Sequence, residues 1–278
     1  MRRAPGQSLR LGVSRRGVSL LLANRWRGPA FTVLAEQDFA ATDTPDAATI
    51  GAAIDSMLDE VGHAGWPLGI VLDDAHARLW QVTPPVGVAR LADIEAAAAM
   101  RFQHLYGESA AGWQLAAHWD AATPFFAALP RPLLATLERT ATAHNLHIVR
   151  IVPHFIDAWN RWQGALKADA WFALMHDKLL TLGVRQGRRL RAVRVLPMPP
   201  GAEHYWLTQT VMREALLLDM ALPPLLQACG QVPAILRQAP AKSYHLRCAL
   251  LEGDTVLALP GGAPLSLSSR LASTGKLT

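Results

Sequence analysis

The chain has 278 residues, of which 51% are hydrophobic and 18% are charged, so it can bury a sizeable core and is not an intrinsically disordered polypeptide. Its 27 Lys and Arg exceed its 22 Asp and Glu, but a net charge of +5 over this length is too dilute to indicate nucleic-acid binding. Two cysteines exclude a disulfide framework, and no run of apolar residues is long enough to span a bilayer. The sequence therefore predicts a cytoplasmic protein that meets a membrane only through partners, without direct insertion.

The opening segment predicts an antiparallel meander followed by a helix. Residues 9–13, 18–22 and 31–39 have the length and apolar character of short strands, with a tight turn before Gly17. A helix is predicted from Thr44 onward, because threonine is a good N-cap and the proline that follows suits the first helical position.

The rest of the first half alternates between strands and helices. Asp73 and Asp74 lie between two predicted strands and are interpreted as a hairpin turn rather than a catalytic carboxylate pair. The clearest helix spans residues 91–106, because its apolar residues recur at helical spacing. That stripe includes Leu91, Ile94, Ala98 and Phe102. Further elements are predicted at residues 113–119, 124–129, 132–143, 147–152 and 155–162.

The opening pattern then returns. After a break near residues 164–169, three short strands are predicted at 170–175, 179–185 and 190–195, followed by a helix over 203–220. This internal repeat predicts two lobes of similar construction. We expect a first lobe over residues 8–164, a shorter second lobe over 165–265, and a loose C-terminal tail over 266–278 because those residues are small and polar.

Motifs of common enzymes are missing. The sequence has no P-loop, GxGxxG, HExxH, GxSxG or paired CxxC motif, so neither a catalytic residue nor a metal site is predicted. Five arginines cluster around one predicted hairpin: Arg185, Arg188, Arg189, Arg191 and Arg194. The favoured interpretation is a solvated strand edge that charge protects from aggregation. The alternative is a patch for acidic phospholipid or an acidic partner segment.

The repeated unit resembles the actin-like ATPase fold, an α/β fold of two ribonuclease-H-like lobes with mixed sheets, each with a three-stranded antiparallel meander and a helix. Within that superfamily the chain resembles the PilM proteins of type IV pilus assembly and the cytoplasmic part of GspL-type secretion proteins. The segments that carry the resemblance are residues 11–14, 17–21, 69–85, 96–101 and 170–195. It covers residues 8–220.

The resemblance also implies a degenerate nucleotide site. Active members carry aspartate and glycine in the first turn, where this chain has Ser14, Arg15 and Arg16; in the second turn Asp177 keeps a carboxylate but the glycine is lost. A glycine pair at 261–262 resembles a Gly-rich adenosine-contacting turn, but no helix is predicted after it. No cofactor is therefore expected, although ATP binding without hydrolysis stays open because arginines can contact phosphate oxygens.

The function implied is that of a non-catalytic scaffold that binds the cytoplasmic tail of a membrane-anchored pilus or secretion subunit. Proteins of this type hold the tail in a groove on the first lobe, so Leu91, Ile94, Ala98 and Phe102 are the candidate partner-binding residues. The alternative is a divergent ATP-binding enzyme, a small-molecule kinase or ATPase, of the same fold. A weaker third hypothesis is a nucleic-acid module that uses the arginine hairpin and would bind with steep salt dependence. Homodimerisation stays open.

Overall fold

The structure is a computed structural model that describes residues 4–26, 29–39, 45–84, 90–118, 124–187, 189–238, 246–251 and 265–274. The chain divides into two compact units. Unit 1 comprises Met1–Arg161 and Leu257–Thr278, and unit 2 comprises Trp162–Val256. The sequence places the division between residues 164 and 165, and the structure places it between Arg161 and Trp162.

Unit 1 contains eight strands among the described residues: β1 (Gln7–Val13), β2 (Gly17–Asn24), β3 (Phe31–Asp38), β4 (Pro67–Leu72), β5 (Arg78–Gln81), β6 (Trp113–His118), β7 (Phe125–Pro130) and β8 (His147–Pro153). Its helices are α1 (Ala47–Val61), α2 (Leu91–Tyr106), α3 (Arg131–Ala143), α4 (His154–Trp162) and α7 (Leu267–Ser273). Helix α4 ends at the boundary between the units.

The main sheet of unit 1 has the order β3-β2-β1-β4-β8. β1 pairs antiparallel with β2 and parallel with β4, so Leu11 lies opposite both Leu20 and Ile70 at the centre of the sheet. Helix α1 packs against β2 and β3, and α3 packs against β8. The N-cap of α1 is Asp46, whose side chain accepts a hydrogen bond from the Thr49 N–H, and the predicted cap, Thr44, lies outside the described residues.

A second, smaller sheet in unit 1 has the order β5-β7-β6 and supports α2. Aromatic side chains form its core: the Trp80 and Phe126 rings stack at 5.6 Å, and the Trp80 and Phe102 rings meet edge to face at 5.2 Å. Since β5 belongs to this sheet and β4 to the main one, the predicted hairpin at Asp73 and Asp74 is wrong. The two aspartates instead begin a short 3-10 helix, Asp74–His76.

Unit 2 contains β9 (Ala170–His176), β10 (Leu179–Gln186), β11 (Arg189–Pro197), β12 (Leu225–Gly230) and β13 (Arg247–Leu250), with helices α5 (His204–Leu217) and α6 (Ala234–Arg237). The sheet order is β11-β10-β9-β12-β13. Its strand directions repeat those of the main sheet of unit 1, with antiparallel pairs in the meander and parallel pairs beyond it. The repeat predicted from the sequence is confirmed. Its core includes Trp171, Met175 and Leu182 from the sheet and Leu207 and Val211 from α5.

The C-terminal segment is ordered in unit 1 rather than loose. Ser266 caps α7 by accepting a hydrogen bond from the Ser269 N–H, and Leu271 and Ala272 are fully buried. The helix packs across β1 and β2. The prediction of a loose tail is therefore wrong for residues 266–274, and residues 275–278 lie outside the described part of the chain. No helix within the described ranges is long and apolar enough to cross a bilayer.

Candidate functional site

The turn between β1 and β2 is held by Ser14. Its Oγ donates to the Gly17 carbonyl oxygen at 2.9 Å and accepts from the backbone N–H groups of Arg16 and Gly17 at 3.1 and 3.0 Å. The hydroxyl is buried and engaged as both donor and acceptor, so it fixes the turn rather than presenting itself to a ligand. Arg15 and Arg16 are exposed. The structure thus brings three of the four predicted phosphate-contacting residues into one turn.

The acidic pair beside that turn supports the backbone. Asp73 Oδ1 accepts from the Ala75 N–H at 3.0 Å, and Asp74 Oδ1 accepts from the Phe155 N–H, at the start of α4, at 2.9 Å. The backbone N–H of Asp73 donates to the Val13 carbonyl oxygen at 2.9 Å. These contacts tie the ends of β1 and β4 to α4. The pair therefore has a structural role at this end of the sheet, although not as the hairpin turn that the sequence predicted.

His76 closes the same end of the sheet. Burial lowers the pKa of its imidazole below the ordinary value of 6.5, although the Asp73 carboxylate and a hydrogen bond to the Ser14 backbone act in the opposite direction. Its Nε2 atom is buried and has no hydrogen-bond partner among the residues that the structure describes. His76 is therefore favoured in its neutral form. No motif in the sequence marks this residue.

Asp177, the fourth predicted residue, lies in unit 2 in the turn between β9 and β10. Its φ of 49° is in the left-handed region, which aspartate tolerates better than most residues do. The Asp177 N–H donates to Gln231 Oε1 at 2.8 Å, and its side chain is half-buried.

The segment after Gly261 and Gly262 differs from the prediction. No helix was expected there, but α7 begins at Leu267. The two glycines themselves lie outside the described residues. A helix therefore follows the glycine pair, although the sequence pattern did not predict one.

The predicted partner-binding stripe on α2 points mainly into the protein. Ala98 and Phe102 are fully buried in the aromatic core of the small sheet, Ile94 is half-buried against it, and only Leu91 is exposed. Ala98 and Phe102 cannot touch a partner without unfolding that core, so this part of the prediction is wrong. Helical periodicity marked the side of α2 that packs inside, as it does for most amphipathic helices.

An open groove of about 380 Å³ lies between α2 and β6. Its lining residues are Glu95, Ala110, Trp113, Gln114, Leu115, Ala116, Ala117, Phe126 and Arg131. Within the described ranges β6 has β7 on one side and no strand on the other. Arg131 is fixed at the groove by donating to Gln114 Oε1 at 2.9 Å and to the Ala111 carbonyl oxygen at 3.1 Å. The groove was not predicted, although the strand predicted over residues 113–119 forms its wall.

A buried charge network crosses the main sheet of unit 1. Asp157 on α4 accepts from Arg10 Nη2 at 2.8 Å and from Arg150 Nη1 at 2.7 Å. Burial lowers the pKa of Arg10 to about 10, and the Asp157 carboxylate opposes that shift. The network joins β1, β8 and α4. It was not predicted, because no local pattern connects Arg10 with a residue 147 positions away.

Helix α7 meets β1 at Gly12. A Cβ atom at this position would lie 1.9 Å from the Ser268 carbonyl oxygen, so only glycine lets the helix backbone approach so closely. Glu36 on β3 accepts hydrogen bonds from Ser19, Ser266 and Ser269. Hydroxyl groups and one carboxylate therefore hold the helix on the sheet.

The arginine hairpin is only partly solvated. β11 is an edge strand as predicted, and Arg189 and Arg191 are exposed, but Arg185 is buried and donates to the Lys167 carbonyl oxygen at 2.8 Å. Arg194 makes an ion pair with Glu214 on α5 at 3.4 Å. Arg188 lies outside the described residues. The predicted solvated edge is therefore wrong for Arg185.

The chain has the actin-like ATPase fold. It is similar to the cytoplasmic domain of EpsL, an inner membrane component of the type II secretion system of Vibrio cholerae, with a TM-score of 0.56 and 12% identity over 96% of this chain and 93% of that one. It is also similar to a Bacteroides thetaiotaomicron protein with an actin-like ATPase fold and unknown function, at a TM-score of 0.56 and 10% identity over 88% and 91% of the two chains.

A third similar structure is the PilM-PilN type IV pilus biogenesis complex, at a TM-score of 0.53 and 14% identity over 82% of each chain. The sequence itself matches no protein-family model and no curated protein. The resemblance drawn from the sequence is thus confirmed at the level of the fold. Identities of 10–14% leave the function to be argued from the site.

Proposed function

We propose that this chain is a non-catalytic scaffold at the cytoplasmic face of a type IV pilus or type II secretion-like assembly, where it binds the cytoplasmic tail of a membrane-anchored subunit. The similar structures support this role, since one is the cytoplasmic part of an inner membrane component and another is a pilus biogenesis complex. The observation that carries the proposal for this chain is the groove between α2 and β6.

The groove suits an extended peptide. An unpaired strand edge can accept a further strand through its backbone, and pockets beside it can select side chains. The small side chains of Ala110, Ala116 and Ala117 leave room along β6. Glu95 and Arg131 place opposite charges on the groove and can orient a tail that carries both signs.

The β1–β2 turn supports a role without catalysis. Phosphoryl transfer depends on positioned metal and phosphate contacts. This turn has no carboxylate, and the Ser14 hydroxyl is engaged by its own backbone. As partner-binding residues we propose those that line the groove, in place of the apolar stripe on α2.

The test uses fluorescent peptides that cover the cytoplasmic tails of the pilus and secretion membrane subunits of the source organism. Fluorescence anisotropy should reveal one that binds, and Ala117→Arg should weaken its binding at least tenfold by filling the groove. Met100→Arg is the matched control, because Met100 is 75% exposed and does not line the groove. Thermal unfolding checks that both variants fold. Failure of every tail to bind, or equal effects of the two substitutions, would contradict the proposal.

A divergent ATP-binding enzyme is the second candidate, and the helix that follows Gly261 and Gly262 favours it. A nucleotide present at about 100 times its Kd would stabilise the fold by roughly 2.7 kcal/mol. Thermal unfolding with ATP, ADP and a non-hydrolysable analogue, each with and without magnesium, separates the two candidates. A magnesium-dependent shift that disappears in Asp177→Ala supports the enzyme, and the absence of any shift supports the scaffold.

A further inference from the structure

The last turn of α5 carries two adjacent leucines on the protein surface. Leu216 is 74% exposed and Leu217 is 69% exposed, whereas Leu207, Val211 and Ala215 of the same helix are buried. Single exposed leucines are common, whereas two consecutive ones add apolar surface to one end of the helix. Because these side chains project from the surface, they can insert into the interfacial region of a lipid bilayer.

Arginines are fixed beside these leucines. Glu214, itself buried, binds Arg213 Nη2 at 3.1 Å and Arg194 Nε at 3.4 Å. The side chain of Arg213 is 62% exposed and that of Arg194 is 40% exposed, so a ligand at the surface can reach both guanidinium groups. Since Arg213 precedes Leu216 by three residues, the two lie on the same side of the helix.

The neighbouring edge strand extends the positive surface. Arg189 and Arg191 on β11 are exposed and make no ion pair within the described ranges. Arg189 lies opposite Gln186 and Arg194 lies opposite Leu182 on β10. Since residues four apart on a strand share a face, Arg189 and Arg194 lie on the same side of the sheet. No aspartate or glutamate occurs between residues 179 and 197. The positive charge of this hairpin is therefore not balanced by any acidic residue of its own.

We propose that Leu216 and Leu217, with Arg189, Arg191, Arg194 and Arg213, form a docking patch for the surface of an anionic lipid bilayer. The leucines enter the boundary between headgroups and acyl chains, and the arginines contact lipid phosphates. Projecting leucines flanked by cations complement a lipid surface, whereas a peptide needs a groove. This contact is interfacial and amends the sequence-based prediction that the protein reaches a membrane only through partners.

The experiment is co-sedimentation of the full chain with vesicles of phosphatidylcholine alone or mixed with phosphatidylglycerol, at low and high salt. We expect binding only to the anionic vesicles and a decrease with salt. The double variant Leu216→Ser, Leu217→Ser should weaken binding about tenfold through lost apolar burial. The double variant Arg189→Glu, Arg191→Glu should weaken it at least about 25-fold, since each cation near such a surface contributes about fivefold.

Matched controls lie in unit 1. Met100→Ser with Leu105→Ser removes exposed apolar side chains elsewhere, and Arg101→Glu with Arg139→Glu makes the same change of net charge. The proposal is overturned if anionic vesicles do not bind, if the leucine variant binds as well as the original chain, or if the controls weaken binding equally. Tail binding at the α2–β6 groove should be unchanged in the leucine variant, which keeps this result separable from the proposed function.

Discussion

Two buried carboxylates, one in each unit, each bind a pair of arginines, and the surroundings of those arginines differ. Asp157 binds Arg10 and Arg150, whose side chains are 5% and 29% exposed. Glu214 binds Arg194 and Arg213, whose side chains are 40% and 62% exposed. The same pairing of charges therefore locks strands together in unit 1 and holds cations at the surface in unit 2. Burial of the cation, rather than the presence of an ion pair, decides which role results.

The largest effect expected from this contrast is that of Asp157→Ala. The substitution leaves the buried Arg10 guanidinium without its carboxylate and should cost about 3–5 kcal/mol of the free energy of unfolding. Urea unfolding followed by circular dichroism measures it. The half-exposed Asp55, which pairs with His144, provides the control, since Asp55→Ala should cost at most about 1 kcal/mol. If both variants lost the same free energy of unfolding, burial would not make the Asp157 network more stabilising than a surface ion pair.

The units also differ in continuity, since unit 2 is one stretch of chain and unit 1 is completed by α7. Gly12→Ala tests that closure: its methyl group would overlap the Ser268 carbonyl oxygen and should cost about 1–3 kcal/mol. Limited proteolysis should cut the C-terminal segment earlier than in the original chain. Gly112→Ala, which meets open space, should leave both stability and cleavage unchanged.

Glu214→Ala is expected to cost less than Asp157→Ala, about 1–2 kcal/mol, because the two arginines it frees can turn to water. Denaturant unfolding of the two alanine variants in the same buffer measures the difference directly. A loss for Glu214→Ala that matches that of Asp157→Ala would erase the distinction between the units.

The smallest expected effect concerns pH. Because burial lowers the pKa of His76, the unfolded chain binds a proton more readily, so this residue's contribution to stability is complete above pH 6.5 and is lost as the pH falls below it. The slope it contributes cannot exceed about 1.4 kcal/mol per pH unit. His76→Gln should flatten the dependence of the free energy of unfolding on pH between 5 and 7, measured in urea. If the pH dependence of the free energy of unfolding did not change, it would arise from titratable groups other than His76.

Local patterns predicted the positions of most strands and the repeat, since alternation and turn residues are encoded within short segments, but they paired the strands on either side of Asp73 and Asp74 wrongly. The strands around Leu11 and around Ala173 were both found in this way. The same patterns missed α7, because residues 266–274 are small and polar and become helical where they meet Gly12, more than 250 residues earlier. Periodicity on α2 found Ala98 and Phe102 as a face but could not tell an internal face from a binding one.

The predicted phosphate turns show the same difference between features that a short segment determines and features that depend on the folded surroundings. Ser14, Arg15 and Arg16 were located correctly in one turn, since a turn is a local structure. That the Ser14 hydroxyl would be engaged by its own backbone was beyond the sequence, because a hydroxyl in a turn can bond outward or inward. The groove beside β6 also depends on contacts between segments about 20 residues apart, from Ala111 to Arg131.

The close contact between α7 and Gly12 imposes an order of events during synthesis. The ribosome must add 112 residues after Arg161 before Ser273, the last residue of α7, is made, which takes on the order of 5–20 s at the usual rates of translation. Throughout that interval the face of β1 and β2 that α7 later covers is open to other nascent chains. Cells that make this protein in quantity should therefore need a chaperone to shield the first unit until the last helix arrives.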